Sequence, residues 1–334
     1  MRLGVLDVGS NTIHLQVMDA HPGARPTPAT NFKVELRLTE HLNDAGEISQ
    51  EGILLLHEAI KGAVEHARDS ATEEILAFAT SAVRDAKNGP EIIKSINKEF
   101  AIDLQIMSGD EEARMTFLAV RRWLGWSAGR LLVLDIGGGS LEIAIGDDEH
   151  PDATISLPLG AARLTRDFLK GDPFSSKSIK ALEIYVDEVL KDTLPYEIKV
   201  HSADHFVATS KTFRTLARIA ANSDSAKKLQ TKNLLTLVPK LGEMSNKERA
   251  ELPGVSSSRA GQLLAGGIVA RAILEKLQIA EVEICPWALR EGLVLRWLDW
   301  IRARERDAWW QQVIRLAPSK EACYRKYKIF IAEM

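Results

Sequence analysis

Two features are scarce in this 334-residue sequence: cysteine and long apolar runs. Cys285 and Cys323 are the only cysteines, which argues against a disulfide scaffold and is typical of a protein in a reducing cytosol. No window of about 18 apolar residues occurs, and the N-terminus shows no signal-peptide pattern. We therefore expect a cytoplasmic protein without a membrane-spanning helix and without a membrane partner.

The sequence also lacks an excess of positive charge, because its formal net charge is −3. The charge is uneven: residues 301–334 contain eight Lys and Arg against four Asp and Glu, so this tail carries +4 and the rest of the chain −7. A polyanionic ligand would need arginines gathered at one place rather than a basic protein overall. We expect no nucleic-acid partner, and a homodimer is left open.

Neither of two common nucleotide-binding glycine motifs is present. No G-x-x-x-x-G-K-[ST] string occurs, and the stretch DIGGGSLEIAIG at 135–146 has Glu142 where the dinucleotide fingerprint requires its last glycine. Leu141, Ile143 and Ile145 recur at every second position, and a period of two predicts a strand rather than a helix. The glycines are therefore predicted to connect two strands, LLVLD and LEIAI, in a hairpin.

The same design occurs earlier, in LGVLDVGSNTIHLQV at residues 3–17. At a constant offset of 128, its acid, its glycine and its hydroxyl residue match those of the second stretch. Either turn alone is more typical of a structural hairpin. The duplication favours a site between two facing hairpins, where backbone N–H groups hold an anion. The candidates for phosphate binding are Gly9, Ser10, Asn11, Thr12, Gly137, Gly138, Gly139 and Ser140.

The order of predicted elements repeats as well. Strands and helices follow as βββαβαβα, with the third strand at 32–39, and the same order then begins again. A typical domain of about 150 residues gives two domains for this length. The predicted fold class is α/β, with two tandem domains at 1–126 and 127–334, an interdomain cleft and a basic helical tail from about 301.

Six segments resemble successive motifs of the Ppx/GppA phosphatase family, which contains exopolyphosphatases and guanosine pentaphosphatases. They are LDVGSNTIHL, ATSAVRDAKN, SGDEEARMTFLAV, DIGGGSLE, LPLGAARLT and ALREGL, in family order between residues 5 and 292. The duplicated element order likewise resembles the actin-like (ribonuclease H-like) superfamily. The chain resembles the short, two-domain members, because long members append a helical domain with His-Asp pairs and no histidine here precedes an aspartate.

The resemblance implies hydrolysis of the terminal phosphoanhydride bond of linear polyphosphate, or of the 5′ γ-phosphate of guanosine pentaphosphate (pppGpp), with Mg²⁺ as cofactor. It assigns the general base to Glu112, the second glutamate of EEAR, which would activate the attacking water. Helix capping is the alternative for the acids of this first turn, and Glu111 is expected to cap or to be solvated. Arg84 resembles the family's phosphate-clamping arginine; a surface ion pair with Asp85 is its alternative.

Three carboxylates are predicted to serve the Mg²⁺ ion. Asp135 and Glu142 lie on opposite arms of one hairpin, so their like charges would meet at its mouth and call for a cation. Asp7, at the matching place in the first hairpin, could join through a water molecule. A turn-forming aspartate bonded to its own backbone is the alternative for Asp7 or Asp135.

Further charged residues lie near these motifs. Lys211 and Arg214 are predicted as additional phosphate clamps, although Lys211 stands where the family often has glycine. His201 and His205 share four-residue spacing, but no partner cluster accompanies them and we interpret them as structural. Interdomain salt bridges would equally explain three arginines in the matched motifs: Arg163, Arg259 and Arg290.

These observations predict an exopolyphosphatase, with inorganic polyphosphate as substrate. The first alternative is a pppGpp phosphohydrolase, which should have a surface for the base. The dense tryptophans at 297–310 fall at helical spacing outside the matched motifs and are predicted to pack. The second alternative is a non-hydrolytic polyphosphate-binding regulator, against which the presence of Glu112, Asp135 and Glu142 argues.

Overall fold

The computed structural model describes residues 1–43 and 45–306, and of residues 304–306 only the backbone. Its first sheet has five strands in the order β3-β2-β1-β4-β5. They are β1 (Arg2–Val8), β2 (Thr12–Asp19), β3 (Thr27–Glu35), β4 (Glu74–Ala79) and β5 (Leu104–Ile106). β1 runs antiparallel to β2 and parallel to β4. It is apolar on both faces, because Leu3 and Val5 enter one core cluster and Leu6 and Val8 another.

The second sheet has six strands in the order β10-β11-β9-β6-β7-β8. They are β6 (Leu131–Ile136), β7 (Leu141–Gly146), β8 (Ala153–Leu157), β9 (His205–Ala208), β10 (Lys228–Gln230) and β11 (Glu281–Ile284). As in the first sheet, three antiparallel strands come first and parallel strands follow on the other side of the first strand. The predicted α/β duplication is confirmed.

Helices cover the sheets and form the connections. They are α1 (Gln50–Asp69), α2 (Ser81–Arg84), α3 (Gly89–Phe100), α4 (Gly109–Leu124), α5 (Ala161–Phe168), α6 (Ser176–Thr193), α7 (Tyr196–Lys199), α8 (Ser210–Ala221), α9 (Thr231–Glu243), α10 (Asn246–Ala250), α11 (Ser257–Ala260), α12 (Leu263–Lys276) and α13 (Leu289–Arg306). Two 3₁₀ turns lie at Leu38–His41 and Trp126–Ala128. No described helix is both long enough and apolar enough to cross a membrane.

Two strand predictions need correction. The third strand was predicted at 32–39 but ends at Glu35, because Arg37 adopts a left-handed conformation with φ of 49° and a 3₁₀ turn follows. Leu36 and Leu38 are buried in the core, so apolar alternation continues beyond the end of the strand. The sequence also gave no signal for β10, a three-residue edge strand paired antiparallel with β11.

Two helices pack across the predicted domain boundary. Phe117 of α4 lies in the core cluster of Val133 and Val207, which belong to the second sheet. Conversely, Trp297 of α13 lies in the cluster of Leu3 in the first sheet. The predicted packing role of this helix is confirmed as far as residue 301, and the tail beyond 306 lies outside the described residues. The division into 1–126 and 127–334 stays a prediction.

Candidate active site

The two glycine hairpins have the same backbone geometry. The Gly9 amide donates to the Thr12 carbonyl at 3.0 Å, and the Gly137 amide donates to the Ser140 carbonyl at 2.9 Å. These two glycine amides are therefore engaged within their turns. The backbone amides of Ser10 and Asn11 in the first turn have no hydrogen-bond acceptor within the described part of the chain, and the same is true of Gly138 and Gly139 in the second turn. Each hairpin thus has two adjacent unsatisfied donors.

The hairpins lie against each other, and glycine makes this approach possible. A Cβ atom at Gly138 would stand 2.9 Å from the Ser10 Cβ, and one at Gly139 would stand 2.3 Å from the Ser81 Oγ. Ser10 and Ser81 are themselves buried and hydrogen-bonded at 2.8 Å between their Oγ atoms. Side chains on the second hairpin would therefore force the hairpins apart.

Asp135 and Glu142 are direct cross-strand partners in β6 and β7, as their positions on the two hairpin arms predicted. Thr209 Oγ1 donates to Asp135 Oδ2 in a very short hydrogen bond. Ser156 Oγ donates to Glu142 Oε1 at 2.8 Å, and the Glu142 side chain is almost completely buried. Asp7 occupies the equivalent place in β1, opposite His14.

Burial and mutual repulsion make these carboxylates weaker acids than usual. Burial, opposed by the hydrogen bond from Thr209, raises the pKa of Asp135 to about 6. Burial and the Asp135 charge raise the pKa of Glu142 to about 7. The pKa of Asp7 is raised by burial, and that of Glu112 lies well above its usual range because of burial and the charge of Glu142. The four acids therefore form one electrostatically linked group.

Among the described residues, no three His, Cys, Asp or Glu side chains are arranged to enclose a metal ion by themselves. Asp135, Glu142 and Asp7 thus do not form a closed protein cage. Mg²⁺ characteristically keeps several waters and takes one or two carboxylates together with substrate phosphate oxygens. The Asp135–Glu142 pair fits this chemistry, since a cation would offset the repulsion between the buried Glu142 and the partly buried Asp135.

The two glutamates in the first turn of α4, Glu111 and Glu112, have different contacts. Glu111 forms a capping box with Ser108: the Ser108 amide donates to Glu111 Oε2 at 2.8 Å and the Glu111 amide to Ser108 Oγ at 3.2 Å. Capping is therefore confirmed for Glu111. Glu112 instead lies beside Arg84, with 3.4 Å between its Oε2 and Arg84 Nη1, and both side chains are largely buried. Arg84 also forms the ion pair with Asp85, at 3.1 Å, that was the alternative explanation for this arginine.

Lys211 and Arg214 both lie in the first turns of α8, which begins directly after Thr209. The charge of Arg214 lowers the pKa of Asp135, which places this arginine within electrostatic reach of the acids. Burial and the charge of Arg259 lower the pKa of Lys211. The backbone feature that favours glycine here belongs to the preceding residue, since Ser210 has a φ of 67°.

Of the remaining sequence candidates, two arginines contact residues of the site and two histidines have structural hydrogen bonds. Arg163 makes the salt bridge across the site that was its alternative explanation, to Asp85. Arg290 contacts His14 closely and its charge opposes the rise in the pKa of Asp7. The structural interpretation of both histidines of HSADH is confirmed by their hydrogen bonds: His201 to the Leu277 carbonyl at 2.9 Å and His205 to Glu283 at 2.8 Å.

The sequence analysis did not single out several residues around the site. The clearest is Gln262, whose side-chain amide exchanges two hydrogen bonds with that of Asn11, at 2.8 and 3.2 Å. The two residues are 251 positions apart, so only the tertiary structure pairs them. The other residues that the sequence analysis missed are Ser81, Ser156 and Thr209.

The chain is similar to proteins of one known family. The family model of the Ppx/GppA phosphatase family matches residues 17–300. Exopolyphosphatase 1 of Mycobacterium tuberculosis is 49% identical over 305 residues, covering 90% of this chain and 89% of the relative, and the Mycobacterium leprae protein of the same name is 47% identical. The crystal structure of an exopolyphosphatase from Cytophaga hutchinsonii superimposes with a TM-score of 0.79 at 26% identity over 90% of this chain and 98% of that one.

The Ppx-GppA enzyme of Aquifex aeolicus superimposes with a TM-score of 0.72 at 26% identity, over 89% of this chain and 99% of that structure. The matches cover 89–99% of the length of these relatives, and the family-model match includes the second hairpin. The chain belongs to the Ppx/GppA phosphatase family and has its actin-like fold.

Proposed function

We propose that this protein is an Mg²⁺-dependent exopolyphosphatase that releases orthophosphate from the end of linear inorganic polyphosphate. The observation that carries the proposal is the pair of opposed hairpins with four unsatisfied amides, next to a group of acids that are at least partly buried. Backbone donors of this kind suit phosphate oxygens. The exopolyphosphatase names of relatives at 47–49% identity support polyphosphate as the substrate.

In this proposal the terminal phosphate lies between the hairpins and accepts hydrogen bonds from the amides of Ser10, Asn11, Gly138 and Gly139. The hydroxyls of the hairpins, including those of Thr12 and Ser140, supply further donors. The cations Arg84, Lys211 and Arg214 offset the negative charge of the chain. Phosphoryl transfer depends mainly on such positioning and charge neutralisation.

Glu112 takes the proton of the attacking water. The water oxygen forms a bond to the terminal phosphorus, the bridging P–O bond breaks, and its electron pair remains on the shortened chain. A raised pKa suits this role, because it makes the carboxylate a stronger base towards the attacking water. Bound Mg²⁺, held by Asp135 and Glu142 with Asp7 reached through water, would supply charge neutralisation at the phosphate oxygens.

Hydrolysis of pppGpp uses the same machinery and differs in the leaving group. The direct test measures phosphate release from short polyphosphate, long polyphosphate and pppGpp side by side at equal Mg²⁺, with the Glu112→Gln variant as the blank. Release from polyphosphate that disappears in the variant supports the proposal. Binding without release by the wild-type protein would instead indicate a polyphosphate-binding regulator. A cytoplasmic location is part of the proposal, since the cysteine content is typical of a reducing compartment.

A further inference from the structure

Asp85 connects two arginines that come from opposite sides of the site. Its Oδ1 accepts a hydrogen bond from Arg84 Nε at 3.1 Å, and its Oδ2 accepts a very short one from Arg163 Nη2. Arg84 is the last residue of α2, beside the first sheet, whereas Arg163 belongs to the first turn of α5, beside the second hairpin. One carboxylate therefore joins the two halves of the protein at the site.

Each arginine continues to an element of the site. Arg84 Nη1 reaches Glu112 Oε2 at 3.4 Å and the Met107 carbonyl at 3.3 Å. Arg163 Nε donates to the Gly139 carbonyl at 2.8 Å. The contacts thus form a continuous chain from the proposed base to the second phosphate hairpin, with Asp85 at its centre.

We propose that Asp85 is a positioning residue for hydrolysis: its shared carboxylate orients the Arg84 guanidinium beside Glu112 and, through Arg163, holds the second hairpin in place. This inference rests on the proposed function, because it assumes hydrolysis at this site. In this arrangement Arg84 Nη2 has no acceptor among the described residues, and neither has Arg163 Nη1. These N–H groups stay available for phosphate oxygens.

A purely structural role would have a different signature. The Asp85 side chain is 40% exposed, and ion pairs at this exposure contribute little to the stability of a fold. Loss of Asp85 should therefore leave the unfolding midpoint nearly unchanged. The rate should fall, because displacement of a positioning group by about 1 Å costs up to roughly 100-fold.

The test is a double-mutant cycle on kcat/KM with Asp85→Asn, Arg163→Gln and the double variant. We expect each single substitution to lower kcat/KM by roughly 10- to 100-fold, mainly through kcat. The double variant should lose clearly less than the product of the two single losses, because both changes break the same Asp85–Arg163 contact. Multiplying effects, or wild-type kcat/KM in Asp85→Asn, would overturn the proposal. Asp85→Glu, which keeps the carboxylate, should recover part of the lost rate.

A matched control is the Glu183–Arg271 pair, which joins α6 to α12 through a salt bridge of 2.7 Å and does not belong to the site. Glu183→Gln should retain wild-type kcat/KM within about twofold, since this partly exposed pair has no hydrogen bond or ion pair with the hairpins. A comparable loss in this variant would mean that any ion pair across packed elements affects the rate, and Asp85 would have no special role.

Hydrogen exchange followed by mass spectrometry provides a readout that does not require activity. Asp85→Asn and Arg163→Gln should each speed exchange in two separate segments: residues 81–86, and residues 161–163, whose amides donate to the Gly137 and Gly138 carbonyls. The double variant should show no further increase in the second segment. Unchanged exchange in the second segment would refute the connection. If the wild-type protein releases no phosphate from polyphosphate, the proposed function fails, and the exchange result still decides whether Asp85 joins the two halves.

Discussion

Replacing the buried acid Glu142 by glutamine should stabilise the fold above neutral pH while impairing the enzyme. Glu142 is 3% exposed, and burial with the nearby Asp135 charge raises its pKa from 4.5 to about 7. Between these two pH values the native state binds a proton that the unfolded chain has released. The free energy of unfolding therefore falls as the pH rises from about 4.5 to 7, and the loss is complete above that window.

The size of the effect follows from the same two values. Each pKa unit corresponds to about 1.4 kcal/mol, so ionised Glu142 costs the native state roughly 3 kcal/mol above neutral pH. Glutamine cannot ionise, and its carbonyl oxygen can still accept the hydrogen bond from Ser156. We expect Glu142→Gln to gain about 2 to 3 kcal/mol at pH 8 without metal, and to gain nothing near pH 4.5.

Urea unfolding in EDTA at pH 4.5 and pH 8, followed by tryptophan fluorescence, measures this difference. Glu188→Gln, an exposed position on α6, is the matched control and should behave as the wild type at both pH values. Added Mg²⁺ should stabilise the wild type at pH 8 more than the variant, because a cation offsets the repulsion between ionised acids. A variant at pH 8 that is no more stable than the wild type in EDTA would refute the argument that Glu142 is held as a strained, ionised acid.

Three further predictions concern catalysis. Glu112→Gln keeps the size of the side chain but cannot accept a proton, so turnover should fall roughly 10²- to 10⁴-fold without loss of stability; more than about half of the wild-type activity would rule out this base. Asp135→Asn should raise the Mg²⁺ concentration needed for half-maximal rate in a metal titration, and a titration curve identical to the wild type would contradict its role as a ligand. Finally, kcat/KM should be higher for inorganic polyphosphate than for pppGpp, and KM for polyphosphate should rise with ionic strength, because exposed charges are screened over about 8 Å in physiological salt. The reverse preference would change the substrate but not the catalytic assignments.

The hairpins were predictable from the sequence because they are local structures. Strand alternation, the turn glycines and the constant offset of 128 fix which residues face each other across each turn. The pairing of Asp135 with Glu142 followed directly, since a short hairpin leaves little freedom in its register. The capping box of Glu111 is local for the same reason. The third strand was predicted too late because the buried Leu36 and Leu38 continue its apolar pattern after the backbone has turned.

Contacts between distant segments were decided only by the tertiary structure. The sequence placed Arg163 in a matched motif and left an interdomain salt bridge as an equal explanation without naming its partner, which folding made Asp85, 78 positions away. Nothing near Gln262 predicts its amide pair with Asn11, and nothing in α4 or α13 predicts that each covers the sheet of the other half. Local sequence determines dihedral preferences and which face of an element is apolar. The partner that a polar or apolar face meets depends on how whole sheets and helices pack, which no short stretch of sequence encodes.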